Sequence, residues 1–466
     1  MPAAKRPQTV GALRKSKYQV IPVREEMRKN LIAKIRAEEM VFPGIVGFDQ
    51  TVIPQIENAI LAGQDMILLG ERGQAKSRII RSLTNLLDEA IPKIADCEIN
   101  DNPYEPICRV CRDKVAEMGD KTPLEWISRE ERYSEKLATP DISIADLIGE
   151  IDPIKVAEGH YLSDELVIHY GLVPRTNRGI FCINELPDLA ERIQVGLFNL
   201  MEERDVQIKG YRVRLPLDVF VVSTANPEDY TNRGRIVTPL KDRYGSQIHT
   251  HYPLNPKDEI TIMDQERTRF PEEDKLLIPD YMKEILAEIT TQARLSSEIN
   301  QRSGVSVRVS ISNFETMLGN AVRRAIRMGE EWTCPRVSDL SFIVASFAGK
   351  IELETFEEGR ESRLTDDLTR RGVLRTFGSY FEVEELEPVV TAFDLGNRAE
   401  TGSDLPAAGY PAMVENIAGL GKAVRKLTKD KRAEAIASAA EFILEGLHLS
   451  RKLNCDRSGE AAVYKR

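Results

Sequence analysis

From Ile45 to about Pro253, short apolar runs alternate with stretches of helical spacing. The clearest runs are Asp65 to Leu69, Ile180 to Ile183 and Val219 to Ser223. Short apolar runs alternating with helical stretches predict an α/β core with a parallel sheet. Phe42-Pro43-Gly44 punctuates the entry to this region, and the residues before it read as a basic arm followed by a helix from Arg24 to Met40. From about Asn255 to Lys350 the periodicity is helical throughout. In ISNFETMLGNAVRRAI, for example, Ile311, Phe314, Met317, Leu318, Ala321 and Val322 share one face. Beyond Lys350 come a charged stretch, a loop from Gly396 to Pro411 and a final helix with an apolar stripe of Ile436, Ala439, Ala440, Ile443, Leu444 and Leu447. The expected segments are therefore 1–40, an α/β nucleotide-binding core at 41–254, an all-helical lid at 255–350 and a mostly helical extension at 351–466.

A chain of 466 residues is too long for a single compact core, and 42% hydrophobic with 30% charged residues is the composition of a soluble globular protein. No apolar run approaches the roughly 20 residues needed to cross a bilayer, which predicts a cytoplasmic protein with no membrane partner. Six cysteines in such a length do not form a disulfide scaffold. A net charge of -10 argues against wrapping nucleic acid without sequence preference.

The stretch ILLGERGQAKSRII joins an apolar run to a helix through a glycine-containing loop. Converging loop N–H groups and the start of a helix make an anion site there. Gly70 and Gly73 supply conformational freedom, Glu71, Arg72, Gln74 and Ala75 complete the loop, Lys76 offers a cation to β/γ-phosphates, and Ser77 offers a hydroxyl to Mg²⁺. Alanine stands at 75 where the strict pattern has glycine. It costs nothing in right-handed or extended backbone and about 1–2 kcal/mol in a left-handed one.

Two further strand ends carry matching chemistry. RGIFCINELPDL closes its apolar run with Asn184-Glu185. A carboxylate there polarises an attacking water, which is the role open to Glu185. Asn184 stands where an aspartate would hold the Mg²⁺ shell; its amide oxygen accepts a hydrogen bond from a metal-bound water but brings no charge, which predicts weaker metal binding or slower turnover. VFVVSTANPEDY ends in Asn226, suited to orienting the lytic water, or alternatively to an Asx turn before Pro227. Three such strand ends would meet at one edge, where open α/β sheets bind ligands.

In order, GERGQAKS, GLVPRTNRGIFCINELPDL, STANPEDY, TPLKDRYGS and GVSVRVSISN resemble the AAA+ ATPases of the magnesium-chelatase I-subunit and MoxR group, from about Val41 to Lys350. The resemblance implies ATP hydrolysis with Mg²⁺ at the subunit interfaces of a ring, usually a hexamer. By motif match Gly70, Gly73, Lys76 and Ser77 are the Walker A residues, Asn184 and Glu185 stand at Walker B, and Asn226 is sensor 1. Arg243 in LKDRYG is the arginine finger offered in trans, a group worth about 10³–10⁵ in rate, and Arg308 is the sensor 2 arginine of the lid. Asn184 departs from the family's aspartate.

The region 90–135 reads as a cysteine-containing insertion and 139–176 resembles the helix-2 insertion of this branch. Residues 202–216 read as a hairpin around Lys209-Gly210-Tyr211, in which Lys209, Arg212 and Arg214 either grip an acidic partner or guard a solvated edge. Cys97, Cys108 and Cys111 offer three thiolates at zinc-ligand spacing. A tetrahedral site needs a fourth ligand, which His160 or His169 would have to supply through the fold, and three reduced cysteines without metal is the preferred reading. The favoured function is an ATP-hydrolysing remodeller; the resemblance to MoxR implies a protein client, often with a von Willebrand A-type protein on another chain as co-factor. The rivals are the ATPase subunit of a metal chelatase, a nucleotide-dependent scaffold with weak hydrolysis, and a DNA motor.

Overall fold

The computed structural model describes residues 6–152, 154, 165–207, 214–226, 235–301, 303–354, 359–459 and 461–466. The chain forms two compact units, Met1–His251 and Tyr252–Arg466. No helix of the described residues is long and apolar enough to cross a membrane.

Unit one is built on a five-stranded sheet of β1 (Met66–Leu69), β2 (Tyr133–Leu137), β3 (Gly179–Asn184), β4 (Val219–Ala225) and β5 (Ser246–His249). Their order is β5-β1-β4-β3-β2 and every neighbouring pair is parallel. All residues of β1, β3 and β4 are buried. The period of two sorts them between two cores: Ile67, Leu69, Phe181, Ile183 and Val221 face one, and Met66, Leu68, Ile180, Phe220 and Val222 the other. Burial on both faces is what makes these strands read as continuous apolar runs.

Residues 7–36 are packed within this unit. Val10 and Leu13 of α1 (Val10–Lys15) join one core, and Val23, Met27 and Leu31 of α2 (Val23–Arg36) the other. The Trp126 indole N–H donates to the Pro7 carbonyl at 2.8 Å. Helix α2 ends at Arg36, before the expected Met40, and Glu38 has φ 53°. A buried ion pair fastens α2 to the entrance of β2: both carboxylate oxygens of Glu26 accept from the Arg132 guanidinium, at 2.7 and 2.6 Å.

The expected insertion at 90–135 contains an antiparallel pair, Ala90–Ile94 with Leu124–Ser128, and helix α5 (Arg109–Met118). Its last residues belong to β2 of the central sheet. Two more helices of unit one are α3 (Val52–Leu61) and α4 (Lys76–Ser82), and α6 (Thr238–Arg243) precedes β5.

In unit two, helices α7 (Asp280–Leu295), α8 (Val307–Met328), α9 (Arg360–Tyr380) and α10 (Ala433–Leu449) share one core that runs from Met263 to Tyr464. Helix α8 is capped by the Ser306 side chain and closed by Gly329 at φ 67°, a left-handed turn that glycine enters without strain. Residues of the expected lid and of the expected extension are interleaved. Glu330 accepts from Arg324 at 2.7 Å, from Arg336 at 2.6 Å and from the Ala407 N–H at 2.8 Å. A Cβ at Gly446 of α10 would lie 2.1 Å from the Phe377 ring of α9, so these helices meet at close range. The chain does not end in a helix. Strands β7 (Asn454–Ser458) and β8 (Ala461–Lys465) form a hairpin, and β6 (Ala399–Gly402), within the expected loop, pairs with β8.

Removing one member of a buried ion pair leaves the other charge uncompensated, at about 3–5 kcal/mol. Glu26→Ala is therefore expected to lower the denaturation midpoint of the full chain by that equivalent. Glu26→Leu with Arg132→Met is expected to recover part of the loss, because no charge then stays buried; chemical denaturation followed by fluorescence measures both.

Candidate nucleotide site

The loop between β1 and α4 leaves the sheet with the Gly70 N–H donating to the Ala225 carbonyl of β4 at 3.1 Å. A Cβ at Gly70 would stand 2.0 Å from Thr250 Oγ1 and 2.2 Å from Gln74 Oε1, so glycine is required by close approach. Those two side chains are hydrogen-bonded to each other at 2.6 Å, which holds the buried Gln74 in place. Gly73 has φ 78°, and Ala75 is also left-handed, with φ 55° and ψ 11°. Ala75 thus takes the costlier of its two conformations, worth about 1–2 kcal/mol.

Lys76 opens α4 and turns its ammonium back into the loop. Nζ donates to the carbonyls of Gly70 and Glu71, the latter at 2.7 Å, and to Asn226 Oδ1 at 2.7 Å. The sheet brings Lys76 and Asn226 together because β1 and β4 are parallel neighbours that end side by side, with Leu69 opposite Ala225. β3 ends beside them. Thr224 joins the two ends: its Oγ1 accepts from the Glu185 N–H at 2.9 Å and donates to Asn184 Oδ1 at 3.1 Å. Glu185 leaves the strand in a left-handed conformation, φ 56° and ψ 49°, which ends the extended run. Ser77 lies in the first turn of α4, half-buried.

Asn184 meets a carboxylate that its own position lacks. Its Nδ2 donates to Glu135 of β2, which also accepts from Arg81 of α4 at 2.9 and 3.1 Å and from the Tyr133 hydroxyl at 2.9 Å. Burial and the Glu135 charge together push the Cys182 thiol up to about 12. Sequence reasoning missed Glu135, Thr224 and Arg81. The one available signal was Asn184 itself, since an amide in place of a carboxylate is suited to donating to a neighbouring carboxylate.

The two arginines of the motif set are placed differently. Arg243, at the end of α6, donates to Glu202 from Nε at 2.9 Å and from Nη2, donates to the Pro239 carbonyl at 2.7 Å, and lies 4.6 Å over the Phe198 ring. Arg308 is exposed in the first turn of α8, in unit two. Asp205–Gln207 pairs antiparallel with Arg214–Pro216, and Arg214 lies 3.3 Å from Asp205. Lys209, Gly210, Tyr211 and Arg212 are outside the described residues, as is His160.

Cys97, Cys108 and Cys111 converge, and the group beside them is Asp101, not a histidine. His169 is exposed on the short strand Ile168–Tyr170. Asp101 lies between the cysteines in sequence, at a position that cysteine and histidine spacing does not mark. Hydrogen bonds from the Cys108 and Cys111 thiols hold the Cys97 thiol well below its usual range.

No protein-family model matches the chain. The magnesium-chelatase subunit ChlI of a Nostoc species is 26% identical over 292 residues, 59% of this chain and 72% of that protein. A magnesium-chelatase subunit ChlI homolog of Methanocaldococcus jannaschii is 26% identical over 228 residues, 48% of this chain and 58% of its own length. Among solved structures, a complex between subunits BchI and BchD of magnesium chelatase matches with a TM-score of 0.35 and 18% identity, over 70% of this chain and 99% of that one. The glycine loop on a five-stranded parallel sheet agrees with these sequence relatives, and the chain is similar to AAA+ ATPases of the magnesium-chelatase I-subunit type.

Proposed function

We propose that the chain binds and hydrolyses ATP with Mg²⁺ as a subunit of a homo-oligomeric ring, and passes the resulting movement to a partner protein in the cytoplasm. The observation that carries this reading is the meeting of Lys76 Nζ with Asn226 Oδ1 and two loop carbonyls at the sheet edge. The ammonium is held by exchangeable oxygens, which phosphate oxygens of the same sign and reach can replace.

Bound ATP would supply the phosphoryl group, and the residues present fit it: Gly70 leaves no side chain in the loop, and Gly73 and Ala75 aim the backbone. Lys76 and the loop N–H groups hold the β/γ-phosphates, while Ser77, and Asn184 through water, hold Mg²⁺. Glu185 polarises the attacking water and Asn226 orients it. Arg243 is offered to a neighbouring protomer and Arg308 acts from the lid. A guanidinium in either role answers the charge spread over the transferring phosphoryl group. The ring, probed as a hexamer, and a protein client or von Willebrand A-type partner follow from the group's usual mode of action.

The names of the sequence relatives favour a second reading, in which the chain is the ATPase subunit of a magnesium chelatase. A pull-down with Glu185→Gln held in ATP separates the two: a protein client recovered supports remodelling, whereas a chelatase partner subunit supports the second.

Lys76→Ala is expected to abolish nucleotide binding, measured with a fluorescent ATP analogue. Glu185→Gln is expected to retain binding and lower steady-state phosphate release by about 10²-fold or more, the scale of a lost general base; a wild type as slow as this variant would instead mark a nucleotide-dependent scaffold. Asn184→Asp would set two carboxylates against each other beside Glu135, so this return to the family residue is expected to lower thermal stability. Asn184→Asp with Glu135→Gln is expected to restore stability and raise turnover, read by calorimetry and phosphate release.

A further inference from the structure

We infer that Cys97, Asp101, Cys108 and Cys111 bind one zinc ion in a closed, structural site of unit one. Three sulfurs and one carboxylate oxygen, all from buried residues, lie within 4.8 Å of one another. Four protein donors complete a tetrahedral shell with no position left for water or substrate, which is the arrangement of a structural zinc. Thiolates are soft ligands that favour zinc over Mg²⁺ or Ca²⁺, so this site is chemically separate from the nucleotide's metal.

The carboxylate supplies an independent observation. Asp101 is 0% exposed, and its Oδ2 accepts from the Cys108 N–H at 3.1 Å. Its Oδ1 is buried without a hydrogen-bond partner. Burying a carboxylate oxygen without a partner is costly, and a cation amid the three sulfurs removes that cost. The backbone is arranged for thiolates as well. The Asp101 N–H donates to Cys97 Sγ at 3.3 Å and the Cys111 N–H to Cys108 Sγ at 3.4 Å.

The ligands follow Cys-x₃-Asp-x₆-Cys-x₂-Cys and join a loop to the start of α5. That loop is tied to the segment entering β3. Asn100 Nδ2 donates to the Arg175 carbonyl at 2.9 Å and Asn177 Nδ2 to the Ile99 carbonyl at 3.0 Å, while Arg178 Nη1 donates to the Pro92 carbonyl of the strand before the loop at 2.8 Å. The ion would brace the approach to the strand that ends in Asn184-Glu185.

The test is made on the full chain, expressed in zinc-supplemented medium and purified in reductant without chelator. Elemental analysis is expected to find one zinc per chain. Cobalt(II) added to chelator-stripped protein is expected to give the thiolate-to-cobalt charge-transfer band and the visible bands of a tetrahedral site. Asp101→Asn, nearly isosteric, is expected to weaken zinc retention against a competing chelator by about tenfold or more. Cys108→Ser with Cys111→Ser is expected to abolish it. Wild-type protein that carries no stoichiometric zinc and gives no cobalt charge transfer overturns the proposal, as does iron in zinc's place or undiminished zinc in the double variant. The wild-type readings do not depend on whether any variant folds.

Discussion

The ammonium of Lys76 has to be surrounded by oxygen, and much of unit one is arranged to meet that demand. The loop carbonyls come from a backbone that only Gly70 permits, and the Asn226 oxygen comes from a strand that must end level with β1. Parallel pairing secures this, because strands running the same way deliver their C-terminal ends to one edge. Thr224 then carries the same edge across to Asn184 and Glu185 through its hydroxyl.

The parts legible in the sequence were those with strong periodicity or strong local chemistry. β1, β3 and β4 were readable because both faces are buried, and α8 because its apolar face repeats over several turns. β2 escaped because YSEKL lies at the sheet edge and is only partly buried, so polar and apolar positions mix. Glu135 was hidden with it. The β6 strand and the terminal hairpin escaped for another reason: β6 pairs with residues some sixty positions later, and nothing local marks such a partnership. Asp101 was overlooked inside a stretch whose cysteines had been noticed, since a lone carboxylate carries no spacing signature.

The asparagine at 184 acquires a different meaning once β2 is in the sheet. A negative charge is still present close by, carried on the neighbouring strand by Glu135 and shared with Arg81 of α4. The helix that begins with Lys76 is therefore linked to the second strand end by an ion pair one turn further along. This couples the phosphate loop to the edge strand by a route that an aspartate at 184 would disrupt.

Unit two carries a consequence for the size of the chain. Phe377 fills the space beside Gly446, and Glu330 gathers guanidinium groups and a backbone amide from both sides of residue 350. The stretches before and after that residue are thus two halves of a single interior. A version trimmed there would bare the flank of α7 that Arg360–Tyr380 covers, an oily slab of the kind that makes proteins clump.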